Sequence, residues 1–274
     1  MAICESIMAW LGIIKKTDEA TQHLTLEEVV LADRMENIKK QLRRCLKVKD
    51  LNKLQNCVEV FYKEISDNSS SWVESFGVEG IDLIYSVIEQ ANKANDTKLQ
   101  QESLKCLKEI MNSQWGLETV LEFNKNSAKK DLNNKGLNLV VRCLAKGTPE
   151  LMIRALQILA PACLVNHEKV LHEITNVAHE LKFNRFVPII NALKLDNVDL
   201  QSLCLQLINA LLKGIKDLES RIELRTEILR QGLSDKLNEY ENERNPKIVI
   251  QYNVFQKESE YDNEELKVYL TSTL

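Results

Sequence analysis

Val198-Asp199-Leu200-Gln201-Ser202-Leu203-Cys204-Leu205-Gln206-Leu207-Ile208-Asn209-Ala210-Leu211-Leu212 sets Val198, Leu200, Leu203, Cys204, Leu207, Ile208, Leu211 and Leu212 mostly three or four residues apart. That spacing lines one face of an α-helix. Leu99 to Met111 and Leu151 to Cys163 read the same way. The middle of the stretch also has counterparts upstream. Cys204-Leu205-Gln206-Leu207-Ile208 is matched by Ala155-Leu156-Gln157-Ile158-Leu159, Cys106-Leu107-Lys108-Glu109-Ile110 and Cys57-Val58-Glu59-Val60-Phe61. The copies start at 57, 106, 155 and 204, a constant interval of 49. Each places a small residue first, an aliphatic second and a polar residue third.

A helical unit repeated at this interval predicts a stack of two- or three-helix units, slightly longer than the roughly 40 to 47 residues of armadillo and HEAT repeats. The expected fold is all-α, an armadillo-type right-handed solenoid. Equivalent residues of such a stack form ladders, so Glu59, Lys108, Gln157 and Gln206 are expected to face a concave groove of the kind that holds an extended or helical peptide. Local signals agree. Thr25 with Glu28 fits a capping box, Pro149 suits a first helical turn, and Gly232 after Arg230 reads as a helix terminator. The polar, asparagine-rich segment from Asn124 to Asn134 reads as a loop at the seam between two repeats.

Composition excludes other classes. In 274 residues there are 8 glycines and 4 prolines, 44% hydrophobic and 5% aromatic residues. A many-stranded β protein needs more turn formers and aromatics, and a disordered chain fewer apolar residues. The net charge of -4 is too mild to steer the whole molecule to nucleic acid. No apolar run approaches the twenty residues of a membrane span. Ile7 to Ile14 is apolar, but it follows Glu5 rather than a basic region, so it reads as a buried or partner-facing helix. Seven scattered cysteines without a CxxC pair indicate a reducing, cytoplasmic compartment and thiols that act as small hydrophobes. Of His23, His167, His172 and His179, none has the i, i+4 partner of a helical zinc site. Phosphate-loop and nucleophile-elbow motifs are missing, and no enzyme activity or cofactor is expected. Asn68-Ser69-Ser70 matches a glycosylation acceptor, which a chain of a reducing compartment does not use. Lys39, Lys40, Arg43, Arg44, Lys47, Lys49 and Lys53 place seven cations in fifteen residues with Asp50 as the only acid. This run fits a solvated helix face or a patch for an acidic protein surface, since aromatics that would stack bases are lacking.

Several motifs together resemble the regulatory region of diaphanous-related formins. Ser71-Trp72-Val73-Glu74-Ser75-Phe76-Gly77, followed by Glu79-Gly80, is similar to the signature that opens the family's armadillo region. Cys106-Leu107-Lys108-Glu109-Ile110-Met111-Asn112 running into Gly116 resembles its next conserved helix. Glu168 to Leu171, Arg185-Phe186 with Pro188, and Cys204 to Ala210 follow in order. So do Arg221, Leu224, Arg225 and Glu227 before Gly232, Gln251 with Phe255, and the acidic Asp262 to Leu266. The resemblance spans about residues 25 to 270. It implies a GTPase-binding region, with residues 1–60 as an N-terminal helical subdomain, joined to a formin-homology-3 armadillo domain over 61–274. In that family a GTP-loaded Rho-type GTPase binds the amino-terminal region and displaces an autoinhibitory tail helix from the concave surface, which releases actin assembly. GTP and magnesium belong to the GTPase.

Carried over by position, the GTPase-facing residues are Ser66, Asp67, Asn68 and Asn112, with the basic helix represented by Lys39, Arg43 and Lys47. The tail-facing residues are Lys63, Lys108, Pro161, Leu164, Gln206, Asn209 and Gln251. Two features depart from the family pattern. Asp67 adds a charge to a turn that usually carries asparagines. Pro161 stands where a small residue is usual, and inside a helix a proline costs about 3 kcal/mol and is expected to kink it. Glu258 to Glu265 holds five carboxylates in eight residues. Its self-repulsion makes a poor seam, so a monomer is expected. The expected setting is cytoplasmic and associated with the cytoskeleton. The alternative is a plain armadillo scaffold that binds a partner peptide without regard to any GTPase.

Overall fold

A computed structural model describes residues 26–121 and 134–272. The apolar stretch Ile7 to Ile14, the Thr25 cap and most of the asparagine-rich segment lie outside the described residues. Thirteen α-helices follow in chain order among the described residues: α1 (Leu26–Val48), α2 (Leu51–Asp67), α3 (Ser70–Glu74), α4 (Gly77–Ala94), α5 (Thr97–Ile110), α6 (Gln114–Val120), α7 (Lys135–Lys146), α8 (Pro149–Leu181), α9 (Val187–Leu193), α10 (Val198–Gly214), α11 (Leu218–Ile228), α12 (Ser234–Tyr240) and α13 (Pro246–Ser272). No strand occurs among them. The chain forms two compact units, Met1–Cys143 and Leu144–Leu274.

Helix starts follow local side-chain chemistry. Asp50, Asp96, Asn197 and Asp217 precede α2, α5, α10 and α11, and each accepts a hydrogen bond from the backbone N–H three residues on. Each such cap satisfies one of the donors a helix start leaves free and contributes about 1 kcal/mol. Pro149 occupies the first turn of α8 behind the Thr148 cap, as its fixed φ predicts.

In the first unit, α2 packs along α5, α4 on α5, and α1 against α2 and α4. Leu42, Leu54, Val58, Phe61, Ile84, Leu104 and Leu107 are fully buried between them. Phe61 stacks on Phe76 with ring centroids 4.2 Å apart. In the second unit, α10 is the central helix: α8, α9 and α13 all pack on it. Of the eight apolar positions of the opening stretch, Leu200, Cys204, Leu207, Ile208 and Leu211 are each 0% exposed and Leu212 is buried, whereas Val198 and Leu203 are half-buried. The repeated pentads lie on α2, α5, α8 and α10. Successive copies pack side by side within each unit, and Cys106 Sγ lies 3.7 Å from the carbonyl oxygen of Val58. Their third residues, Glu59, Lys108, Gln157 and Gln206, are all half-buried.

Two punctuation marks of the sequence behave differently from expectation. The non-helical residue inside α8 is Asn166 (φ -151°, ψ 83°), five residues beyond Pro161. Asn166 Oδ1 accepts from Lys169 N at 3.1 Å, so it caps a second helical arm and sets the break. Its polar side chain supplies the alternative to the helical hydrogen bond. Gly232 takes φ 118° inside a wide turn, Leu229–Leu233, that runs directly into α12. Gly232 therefore interrupts the helical path without ending it. A boundary at residue 60 would fall within α2, which continues unbroken to Asp67.

Candidate functional site

Two turns in the first unit carry the residues expected to face a GTPase. α2 ends at Asp67, and Asn68 closes it by donating from Nδ2 to the Glu64 carbonyl at 2.7 Å. Asp67 is exposed, Ser66 and Asn68 are half-buried. The Ser66 hydroxyl is buried, without a hydrogen-bond partner among the described residues. α5 ends at Ile110, and half-buried Asn112 follows, its N–H donating to Glu109 O at 3.2 Å. Both turns then repeat one device. In Asn68-Ser69 and Asn112-Ser113 the serine caps the next short helix, accepting from Trp72 N at 3.4 Å and from Gly116 N at 3.0 Å. The short helices so started, α3 and α6, touch each other. Because α2 and α5 pack together and each leads into one of these contacting helices, both turns lie on one edge of the unit. The recurring Asn-Ser pair was a signal in the sequence that the 49-residue interval does not reveal, because its own offset is 44.

The edge is rigid. A Cβ on Gly116 would come within 2.0 Å of the Ile110 carbonyl oxygen, so only glycine lets α6 start this close to the end of α5. Trp72 and Phe76, of the Ser71–Gly77 signature, are buried in the unit.

The basic helix divides into inward and outward cations. Lys39 is buried; its ammonium lies 3.4 Å from the Ser75 carbonyl and 5.8 Å from the Phe76 ring centre. Arg43 donates to Glu36 at 3.0 Å and to Glu79 at 2.7 Å, and those bonds raise its pKa above the usual guanidinium value. The structure thus commits Lys39 and Arg43 to holding α1 on the unit. Lys40, Arg44 and Lys47 are exposed, and their spacing of four and three puts them on one helix face.

Of the residues expected to face a tail helix, Lys63 on α2 is exposed and Lys108 on α5 half-buried, both in the first unit. In the second unit, Pro161 and Leu164 on α8 and Gln206 on α10 are half-buried. Asn209 and Gln251 meet: Asn209 Nδ2 donates to the Gln251 backbone oxygen at 2.9 Å and to its Oε1 at 3.1 Å. That pair ties α10 to α13. Beside it, a shallow cleft is lined by Asn209, Lys213, Arg221, Arg225, Phe255 and Glu258. The cleft floor is an ion cluster. Arg221 Nε donates to Asp262 Oδ1 at 2.8 Å, Arg225 Nη1 pairs with the other carboxylate oxygen, and Arg221 also reaches Glu265 at 3.3 Å. Asp262 was expected to add to the self-repulsion of the acidic segment. Instead it is buried and neutralised. Nearby, Glu227 accepts two bonds from Arg185. The arginines and glutamate of the matched motif are therefore structural ties between elements of the second unit. Among the described residues, no group of His, Cys, Asp and Glu side chains could hold a metal ion, and no helix is long and apolar enough to cross a membrane.

Two family models match the chain in tandem: the Diaphanous GTPase-binding Domain over residues 14–164 and the Diaphanous FH3 Domain over 167–272. The chain belongs to the diaphanous-related formins. The junction of the two matches coincides with the Asn166 break in α8. The protein diaphanous homolog 3 of Homo sapiens is 32% identical over 223 residues, covering 78% of this chain and 18% of the relative. The protein diaphanous of Drosophila melanogaster is 34% identical over 230 residues, covering 78% and 20%. The chain thus spans about a fifth of the length of the curated relatives it matches. Among solved structures, a computationally designed armadillo repeat protein for modular peptide recognition superposes with a TM-score of 0.53 at 11% identity, over 85% of this chain and 94% of that one. That likeness shows the fold: an all-α armadillo-type repeat, as the 49-residue interval predicts.

Proposed function

We propose that this formin region binds a Rho-family GTPase in its GTP state through the edge of the first unit that carries Ser66, Asp67, Asn68 and Asn112. The observation that carries the reading is the match of the GTPase-binding family model to residues 14–164, the part of the chain in which both turns lie. Physical chemistry supports it. GTPase switch loops are ordered by the γ-phosphate and its magnesium and released on hydrolysis. A rigid edge with short amide side chains can meet ordered loops at little entropic cost. Asn112 has both donors and an acceptor for a switch backbone. The exposed cations Lys40, Arg44 and Lys47 act on association rate, whereas Lys39 is buried and Arg43 is engaged at the surface with Glu36 and Glu79.

The finer reading extends to control of the parent formin. A tail helix of the same protein would lie on the faces that carry Lys63, Lys108, Pro161, Leu164, Gln206, Asn209 and Gln251, and GTPase binding would release it to permit actin assembly in the cytoplasm. Hydrogen–deuterium exchange with and without a GTP-analogue-loaded Rho GTPase tests the site. Slowed exchange at the amides of residues 64–72 and 109–116 is expected. Protection confined to the second unit would contradict the assignment and favour a peptide-binding scaffold.

A further inference from the structure

Cys45 on α1 and Cys57 on α2 face each other with their sulfurs 3.9 Å apart. No sequence pattern announces this pair. The two residues are twelve apart and belong to different helices, and only the short connection between Val48 and Leu51 brings them together. We propose that Cys45 and Cys57 form an oxidative modification site, at which a hydroperoxide converts the two thiols into an intramolecular disulfide that staples α1 to α2.

The geometry is close to what the bond needs. A disulfide brings the sulfurs to about 2.05 Å, and here they already touch. Access is graded: Cys57 is half-buried, whereas Cys45 is 8% exposed. The remaining described cysteines, Cys106, Cys143, Cys163 and Cys204, are each no more than 1% exposed. Among the described residues no hydrogen-bond-range contact joins any of those four to another cysteine; Cys106 points at the Val58 carbonyl and Cys143 at Asn92. Selectivity for the 45–57 pair therefore follows from both proximity and access.

The chemistry balances in two steps. The Cys57 thiol ionises, its thiolate attacks one oxygen of hydrogen peroxide, the O–O bond breaks, and the departing hydroxide takes up the proton the thiol released, so the products are a sulfenic acid and water. The Cys45 sulfur then attacks the sulfenic sulfur, an S–S bond forms, the S–O bond breaks, and the hydroxyl leaves as a second water with the Cys45 proton. Two thiols are oxidised and one peroxide is reduced. Burial, with the neighbouring Cys45, pushes the Cys57 thiol up to about 11. Only a small thiolate fraction exists at neutral pH, so the pair responds to sustained oxidant, slowly. The staple restrains the helix that carries Lys40, Arg44 and Lys47, and local opening of α1 away from α2 is suppressed in the oxidised form.

The test treats the whole chain with excess hydrogen peroxide, denatures it, blocks remaining thiols and maps the peptides by mass. A cross-link between the Cys45 and Cys57 peptides, two hydrogens lighter than their sum and reversed by dithiothreitol, is expected as the first disulfide to appear. Exchange of the amides of residues 42–58 should slow at least tenfold in the oxidised protein. Cys45→Ser and Cys57→Ser, checked for native helicity, should each lose the cross-link. A pair that stays reduced while a dithiol control peptide closes would overturn the proposal. So would oxidation of Cys57 beyond sulfenic acid without a link, or a first disulfide that uses any other cysteine or joins two chains.

Discussion

Asp262→Ala should destabilise the second unit by about 3–5 kcal/mol, the range for breaking a buried ion pair by removing one partner. The side chains involved are largely out of water: 4% exposed for Asp262, 6% for Arg225 and 16% for Arg221. Asp262 accepts from both guanidiniums, so its loss removes the carboxylate partner of Arg225, whose guanidinium stays 5.7 Å from the Phe255 ring centre, and leaves Arg221 with Glu265 and the backbone oxygens of Ile215 and Lys216. At roughly 2–4 °C per kcal/mol, the melting temperature should fall by about 6–20 °C in calorimetry. Replacing the pair together, Arg225→Met with Asp262→Leu, should recover most of the loss, because an apolar substitute carries no unpaired charge. The pH dependence has a definite sign. Burial alone would raise the Asp262 pKa, but hydrogen bonds from Arg221 and Arg225 outweigh it and hold the carboxyl below its ordinary 3.8. A depressed carboxylate stabilises the fold above its unfolded pKa and loses that contribution as pH falls through the folded one. Wild type and Asp262→Ala should therefore differ fully at pH 7 and converge on acidification below pH 3.8. A loss under about 1 kcal/mol at neutral pH, or a gap unchanged by acid, would refute the reasoning.

Gly116→Ala should cost about 1–3 kcal/mol by thermal melting, because the new methyl meets the Ile110 carbonyl rather than a movable side chain. Asn166→Ala removes the cap on the second arm of α8 and should cost about 1 kcal/mol in denaturant titration, with Asn166→Ser largely retaining stability. Neutralising Lys40, Arg44 and Lys47 together should leave stability within about 0.5 kcal/mol and slow GTPase association at low salt, an effect that stopped-flow measurements should see fade as salt rises. Asn112→Asp should weaken GTPase binding by about 1–3 kcal/mol through loss of the amide donors while melting unchanged.

The helices were legible because burial imposes a period. Six of the eight apolar positions of the α10 stretch are buried on the face that α8, α9 and α13 cover, and Val198 and Leu203 are half-buried. The repeated pentads reported which helices are equivalent. Pairings between distant residues were not legible. Asp262 sits in a run of carboxylates and reads as solvated; only the packing of α13 beside α11 delivers it to two arginines. Lys39 and Arg43 read as part of one basic patch, yet the turn before α4 supplies the Ser75 carbonyl that takes Lys39 inward, and α4 supplies Glu79, which pairs with Arg43 at the surface. Pro161 looked like the breaker of α8. The competing cap at Asn166 placed the break elsewhere, since a helix yields where a side chain offers the backbone another partner. Of the candidate edge, the short amide residues were readable through the family resemblance, whereas the common Asn-Ser construction of the two turns emerges only once α3 and α6 are seen in contact.

Nucleotide-dependent recognition is read from the ratio of two dissociation constants. Rho-family GTPases loaded with a GTP analogue or with GDP would be titrated against this chain by fluorescence anisotropy at one fixed salt concentration. Because the switch loops are ordered only with the γ-phosphate, at least one member should bind at least about tenfold more tightly in the GTP form. Equal affinity for the two forms across the family, or no binding to either, would contradict it.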